Sequence, residues 1–212
     1  MGLFKVLKGE EPNFVEKLAF KVEHLGDKGA YGEYITGYSL DKINEYHKVF
    51  KNVYLPHNGK TTEIDIVLIT SKGIFVIENK NYAGWVFGDE KYKYWHHTYR
   101  NGEKYKFFNP IWQNQTHINA LSNFLKVDKN TMKSYIVFSG ENFKGNIKYT
   151  SDNVKIITHE NILKNIKKDL SNSREIFTDR QIDIMAMNLN NHCNVSNSVK
   201  KEHVKNIKNK WL

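Results

Sequence analysis

EIDIVLITSKGIFVIENK (Glu63–Lys80) decides how this chain is read. Two runs rich in Ile and Val, 63–70 and 73–80, flank Ser71-Lys72. That pattern predicts a β-hairpin with a two-residue turn. Both runs are apolar on both faces through their middles, so the hairpin is expected to lie centrally in a covered sheet. Its polar residues stand at the open end: Asp65 on one strand, Glu78 and Lys80 on the other. A turn at Ser71-Lys72 makes opposed positions sum to 143, which sets Asp65 against Glu78. A turn at Lys72-Gly73 sets Asp65 against Lys80. In either register the alternation of side chains puts Asp65, Glu78 and Lys80 on one sheet face, with directly opposed residues about 4.5–5.5 Å apart. A three-residue loop would send Asp65 to the other side.

Two carboxylates and an ammonium are costly in a central hairpin, and close carboxylates repel unless a proton or cation neutralises one. Mg²⁺ meets that need, because it takes oxygen ligands near 2.1 Å and keeps waters. A cation held there carries an attacking water and neutralises charge on a scissile phosphate. Lys80 beside it would orient that water and touch the phosphate. A purely structural Asp/Glu–Lys ion cluster fits the same spacing, and spacing alone leaves both readings open.

Outward from the hairpin, residues 14–25 have apolar residues at helical spacing. Gly26–Gly32 reads as a break and Glu33 to about Tyr46 as a helix. Residues 47–56 read as a strand, with a turn at Asn58-Gly59. Residues 85–109 are aromatic and Gly-punctuated and suggest one or two short hairpins. Asn109-Pro110 opens a helix to about Leu125. Ser134–Ser139 and Val154–Thr158 read as strands, and 159–169 and 177–190 as helices. The expected class is α/β (α+β) with a mixed sheet.

Several blocks in order resemble the nuclease-related domain, NERD, of the PD-(D/E)xK nuclease superfamily. They are Gly32-Glu33, Gly59 with Glu63-Ile64-Asp65, Gly73 through Glu78-Asn79-Lys80, Gly84, Trp95, and Asn109-Pro110 with Gln113-Asn114. The resemblance spans about residues 28–130. It implies a restriction-endonuclease-like core and divalent-metal hydrolysis of phosphodiesters, with Mg²⁺ (or Mn²⁺) as cofactor and nucleic acid, DNA first, as partner. It implies metal ligation by Asp65, Glu78 and Glu33, with the carbonyl of Asn79 as a further ligand. Lys80 would assist the water and Gln113 would shape the site. A non-catalytic nucleic-acid-binding or regulatory module on the same fold is the alternative. A dimer would reach both strands of a duplex, but oligomeric state is not read from the letters.

The expected organisation is an arm and short helix (1–27), the nuclease-like core (28–130), the remaining strands and helices (131–190) and a basic tail (191–212). That tail holds five Lys against one Glu and reads as either a flexible arm or a short amphipathic helix. Its lysines (Lys200, Lys201, Lys205, Lys208, Lys210) would add nonspecific phosphate attraction.

The chain of 212 residues carries +9. Only three of its 32 basic residues are Arg, so a Lys-rich solvated surface explains the charge as readily as an anionic partner does. No apolar stretch reaches 18 residues, and the opening MGLFKVLKGEEPNF lacks a leader's apolar region. A single cysteine, Cys193, excludes an internal disulfide and a cysteine metal cluster. These features read as a reduced, cytoplasmic protein. Lys91–Arg100 interleaves bases with aromatics, which suits a phosphate-and-base surface or a hairpin packing its aromatics inward. His96-His97 would point to opposite faces of a strand, and His47, His57, His117 and His159 show no catalytic spacing. His192-Cys193 reads as incidental, and Glu63 as a weaker neighbour of the site.

Overall fold

The computed structural model describes residues 28–99, 101–140, 142–193 and 195–208. The expected arm and helix at 1–27 lie outside the described residues, as does Lys210. Helices are α1 (Lys28–Leu40), α2 (Pro110–Leu125), α3 (Ile162–Ser171), α4 (Asp179–Asn190) and α5 (Asn197–Lys208). Strands are β1 (His47–His57), β2 (Lys60–Thr70), β3 (Gly73–Lys80), β4 (Trp85–Asp89), β5 (Tyr94–Thr98), β6 (Lys104–Phe108), β7 (Met132–Phe138), β8 (Lys144–Lys148) and β9 (Val154–Thr158). None of the described helices is long and apolar enough to cross a membrane.

The architecture is α/β (α+β) with two mixed sheets. One has the order β1-β2-β3-β7-β9, with an antiparallel meander joined to two parallel strands. The other has the order β6-β5-β4-β8, antiparallel except for the β4–β8 pair. The strand β8 and the division into two sheets were not read from the sequence. A Lys/Gly/Asn-rich segment, KGNIK, carries little strand propensity and forms only by pairing with β4.

The first sheet is covered on both sides, which explains the two-faced apolarity of β2 and β3. Ile118, Leu121 and Leu125 of α2 with Ile182 and Leu189 of α4 close one side over Val67, Ile69, Ile74 and Val76. Leu40, Ile43 and the α3 residues Ile162, Ile166 and Leu170 close the other over Ile66, Leu68, Phe75 and Ile77. Each fully buried aliphatic side chain contributes about 1.5–3 kcal/mol relative to exposure. Val86, Trp95 and Phe107 join the second sheet to Ile136 and Phe138 of β7 and Ile111 of α2.

Asn58 (φ 48°) and Gly59 (φ 70°) form the β1–β2 turn, both left-handed as a tight two-residue hairpin requires. The break expected at Gly26–Gly32 is partly helix instead, since α1 already runs from Lys28. Gly32 is there for closeness rather than as a breaker. A Cβ on it would stand 2.3 Å from Ser139 Oγ at the end of β7. Helix α1 also ends earlier than expected, at Leu40, and Ile43 folds back by donating its N–H to the Leu40 carbonyl.

The tail is helical over Asn197–Lys208. Buried His203 seats it on β2, its Nδ1 lying 3.1 Å from the Thr61 carbonyl and its ring edge-on to Tyr54. His192 is structural rather than incidental. Its ring nitrogen Nδ1 bonds the Tyr54 carbonyl at 2.9 Å, and its own carbonyl accepts the Tyr54 N–H.

Candidate active site

The register follows the two-residue turn: Thr70 faces Gly73 and Ile66 faces Ile77, each pair summing to 143. The paired ladder stops there, one step short of Asp65 and Glu78. On the other side of β2, pairing with β1 skips Asn52 and Asp65, though the register resumes unchanged at Val53–Ile64. Asn52 is left-handed there (φ 52°). The alternation slips at this point. Phe50 and Val53, three apart, pack in the same α2-side core, and so do Ile64 and Val67. Counted from Val67 and Ile69, alternation places Asp65 on the Glu78 face; counted from Ile64 it does not, so alternation alone leaves its face open. The β2–β3 ladder opens beyond Ile66–Ile77, and there Asp65 Oδ2 accepts the main-chain N–H of Asn79 at 2.7 Å.

From the opening, β3 sends side chains both ways. Glu78 and Lys80 face α2. Glu78 Oε1 is 2.6 Å from Lys80 Nζ, and Glu78 Oε2 is 3.0 Å from His117 Nε2. Lys80 also donates to Gln113 Oε1 at 3.1 Å. Asn79 faces α1, donating from Nδ2 to Thr36 Oγ1 and accepting at Oδ1 from Ser139 Oγ, each at 3.0 Å. Its side chain is thus committed, leaving only its carbonyl for the ligand role expected of it.

His117 is the site residue the sequence reading passed over. It is buried, with Nδ1 2.9 Å from Thr62 Oγ1. The Glu78 carboxylate can only accept, so Nε2–H donates to it, and Nδ1 pairs with the Thr62 hydroxyl. A signal existed. Gln113 and His117 stand four apart on α2 and so share a face, matching Lys80 and Glu78 two apart on β3.

Helix α2 is held in place at its start. Asn109 Oδ1 caps the helix by accepting the Ile111 N–H at 2.9 Å. Its Nδ2 reaches the carbonyls of Glu90 (3.2 Å) and Tyr92 (2.8 Å) at the β4–β5 turn. Asn114 Nδ2 bonds the Val76 carbonyl and Ser134 Oγ, both at 2.8 Å. The Asn-Pro-Ile-Trp-Gln-Asn block is thereby explained as anchoring plus one site contact.

Electrostatics set Asp65 apart. Burial first, then the carboxylates of Glu78 and Glu33, raise its carboxyl well above the usual range against the pull of Lys80. Burial also works against ionised Glu78, but Lys80 and His117 outweigh it and hold Glu78 below its ordinary value. Desolvation of Lys80 is likewise overcome by Glu78 and Asp65, so its ammonium is strongly held. Glu33, on α1, thus joins the field acting on Asp65. Glu63 is directed elsewhere, accepting from Tyr54 Oη and standing 3.7 Å from His203 Nε2. Among the described residues, no three His, Cys, Asp or Glu side chains already converge as a finished cation cage.

Comparison with known proteins follows these lines. An uncharacterized protein of Bacillus anthracis is 38% identical over 101 residues, 44% of this chain and 45% of that protein. The chain thus spans less than half the length of the curated relative it matches. Among solved structures, the small subunit of a heterodimeric restriction endonuclease overlaps 85% of this chain and 89% of its own at 13% identity, with a TM-score of 0.31. The family model for the nuclease-related domain matches residues 28–139, a span holding Glu33, Asp65, Glu78, Lys80 and Gln113, and the chain belongs to that family.

Proposed function

We propose that this chain is a divalent-metal-dependent nuclease that hydrolyses DNA phosphodiester bonds. One observation carries the reading: Asp65 accepts the Asn79 N–H beside the buried Glu78–Lys80 pair, where burial and the Glu78 and Glu33 carboxylates disfavour its anion. A cation would relieve that penalty. The donor chemistry fits Mg²⁺ or Mn²⁺, with carboxylate oxygens from Asp65, Glu78 and Glu33 and the Asn79 carbonyl as hard ligands. When bound, such an ion supplies a nucleophilic water and neutralises charge on the phosphate. Lys80 contributes a permanently charged ammonium, oriented between Glu78 and Gln113, to meet the phosphate and steer the water. His117 holds the second oxygen of Glu78 from the α2 side.

A second reading has its own support. Both Glu78 oxygens are already paired, which suits a closed structural ion cluster in a non-catalytic binding or regulatory module. Nicking of supercoiled plasmid separates the two. The nuclease reading expects cleavage with Mg²⁺ or Mn²⁺, none in EDTA, and a loss of about 10²-fold or more in Asp65→Asn and Lys80→Met. Equal cleavage by wild type and both variants reports a contaminant and removes the reading.

A further inference from the structure

The outer face of the second sheet carries features the active site does not use. Trp85 and Phe87 on β4 are 47% and 42% exposed, although both are large and apolar. Their rings lie 6.1 Å apart and within 14° of parallel. Residues two apart on a strand are separated by about 6.6 Å, so the rings form two successive flat steps along β4. Strand pairing extends the row sideways. Phe87 faces His96, which faces Lys106, and Trp85 faces both Thr98 and Lys144. Lys144 Nζ stands 5.0 Å from the Trp85 ring centroid. Lys104 and Lys148, both exposed, complete a basic margin around the aromatics, with Asp89 as the acidic residue at the far end of β4.

We infer that this face is a binding platform for single-stranded DNA. Parallel exposed aromatics bordered by ammonium groups are what stacked bases and their phosphates require. A second copy of the chain fits poorly, because two such lysine margins would repel. Trp85 follows Lys80 by five residues, so a strand on the platform begins within about 18 Å of the candidate site along the chain. The platform is a property of binding and stands apart from the proposed chemistry.

The test is fluorescence anisotropy with labelled (dT)20 in EDTA, where no cleavage interferes. Matched (rU)20 and a 20-bp duplex form the comparison arms. Wild type should prefer (dT)20 to both. Trp85→Ala and Phe87→Ala should each weaken binding by about five- to 150-fold, the range for losing one stacked base. Trp85→Phe should retain most of it. Lys106→Glu should flatten the salt dependence, each lost phosphate contact removing about 0.7 from the log–log slope. Both rings are exposed, so unchanged melting temperatures would verify folding. Unaltered (dT)20 binding in folded Trp85→Ala and Phe87→Ala overturns the assignment. So does tighter binding of RNA or duplex, or a dimer in gel filtration that Trp85→Ala dissolves. Binding that persists without any metal-dependent cleavage would leave the platform standing and remove the nuclease reading alone.

Discussion

Replacing Glu78 by its amide should destabilise the fold while the same edit at Asp65 should not, although the two edits are chemically identical. Glu78 is 1% exposed and holds Lys80 at 2.6 Å and His117 at 3.0 Å. Glu78→Gln strips the counter-charge from a buried ammonium, and breaking such a pair costs about 3–5 kcal/mol. Ionised Asp65 can replace part of it, so about 3 kcal/mol is expected, or roughly 6–12 °C in melting temperature for a domain of this size. Asp65→Asn keeps an oxygen for the Asn79 N–H and leaves the Glu78–Lys80 pair intact. It removes a carboxylate that burial, Glu78 and Glu33 all disfavour. Asp65 keeps some solvent access, which tempers the effect. The expected result at pH 8 in EDTA is no loss, or a gain on the order of 1 kcal/mol.

The sign of the pH dependence follows. The folded carboxyl titrates above its unfolded value. Ionised Asp65 therefore opposes folding at high pH, and the penalty fades as pH falls toward the ordinary carboxylate value. The gain from Asp65→Asn should be present at pH 8 and vanish near pH 4. Differential scanning calorimetry across that range reads it directly. A Tm drop in Asp65→Asn matching that of Glu78→Gln would refute the charge argument. Both variants should nonetheless lose nuclease activity.

Other outcomes follow from the same geometry. Saturating Mg²⁺ or Mn²⁺ should raise the melting temperature, by about 2.7 kcal/mol of stability at a hundredfold excess over Kd, and Asp65→Asn should abolish the rise in a thermal-shift titration. His117→Ala leaves Glu78 Oε2 and the Thr62 hydroxyl without their partner. It should weaken metal affinity or activity by about 10–100-fold, with partial rescue by His117→Gln, read from cleavage against metal concentration. Gly32→Ala drives a Cβ onto Ser139 Oγ and should cost about 1–3 kcal/mol in urea unfolding, of which the added Ser139→Ala recovers part. Lys126 closes α2 in the left-handed conformation (φ 56°), so Lys126→Gly should stabilise by about 0.5–1 kcal/mol in the same assay.

The hairpin register was legible because Ser71-Lys72 admits few turns and the two-sided apolarity demanded cover on both faces. The start of α2 was legible from Asn109-Pro110. What the letters did not disclose was non-local. Alternation assumes an unbroken pleat, and the β1–β2 ladder is interrupted at Asp65 opposite a left-handed Asn52. His117 looked inert because its partners Glu78 and Thr62 lie 39 and 55 residues away. In Lys91–Arg100 the inward-packing reading holds for Trp95 and His97, which are buried, while His96 faces outward.

Asn109 leaves a narrow choice of residue. Its side chain uses one acceptor for the α2 N-terminus and both amide hydrogens toward the β4–β5 turn, within a fully buried pocket. Asp would bring lone pairs where donors are needed, Ser and Thr fall short of the turn, and Gln overshoots the cap. Of the twenty side chains only asparagine meets both demands, so that position ties the start of α2 to the β4–β5 turn.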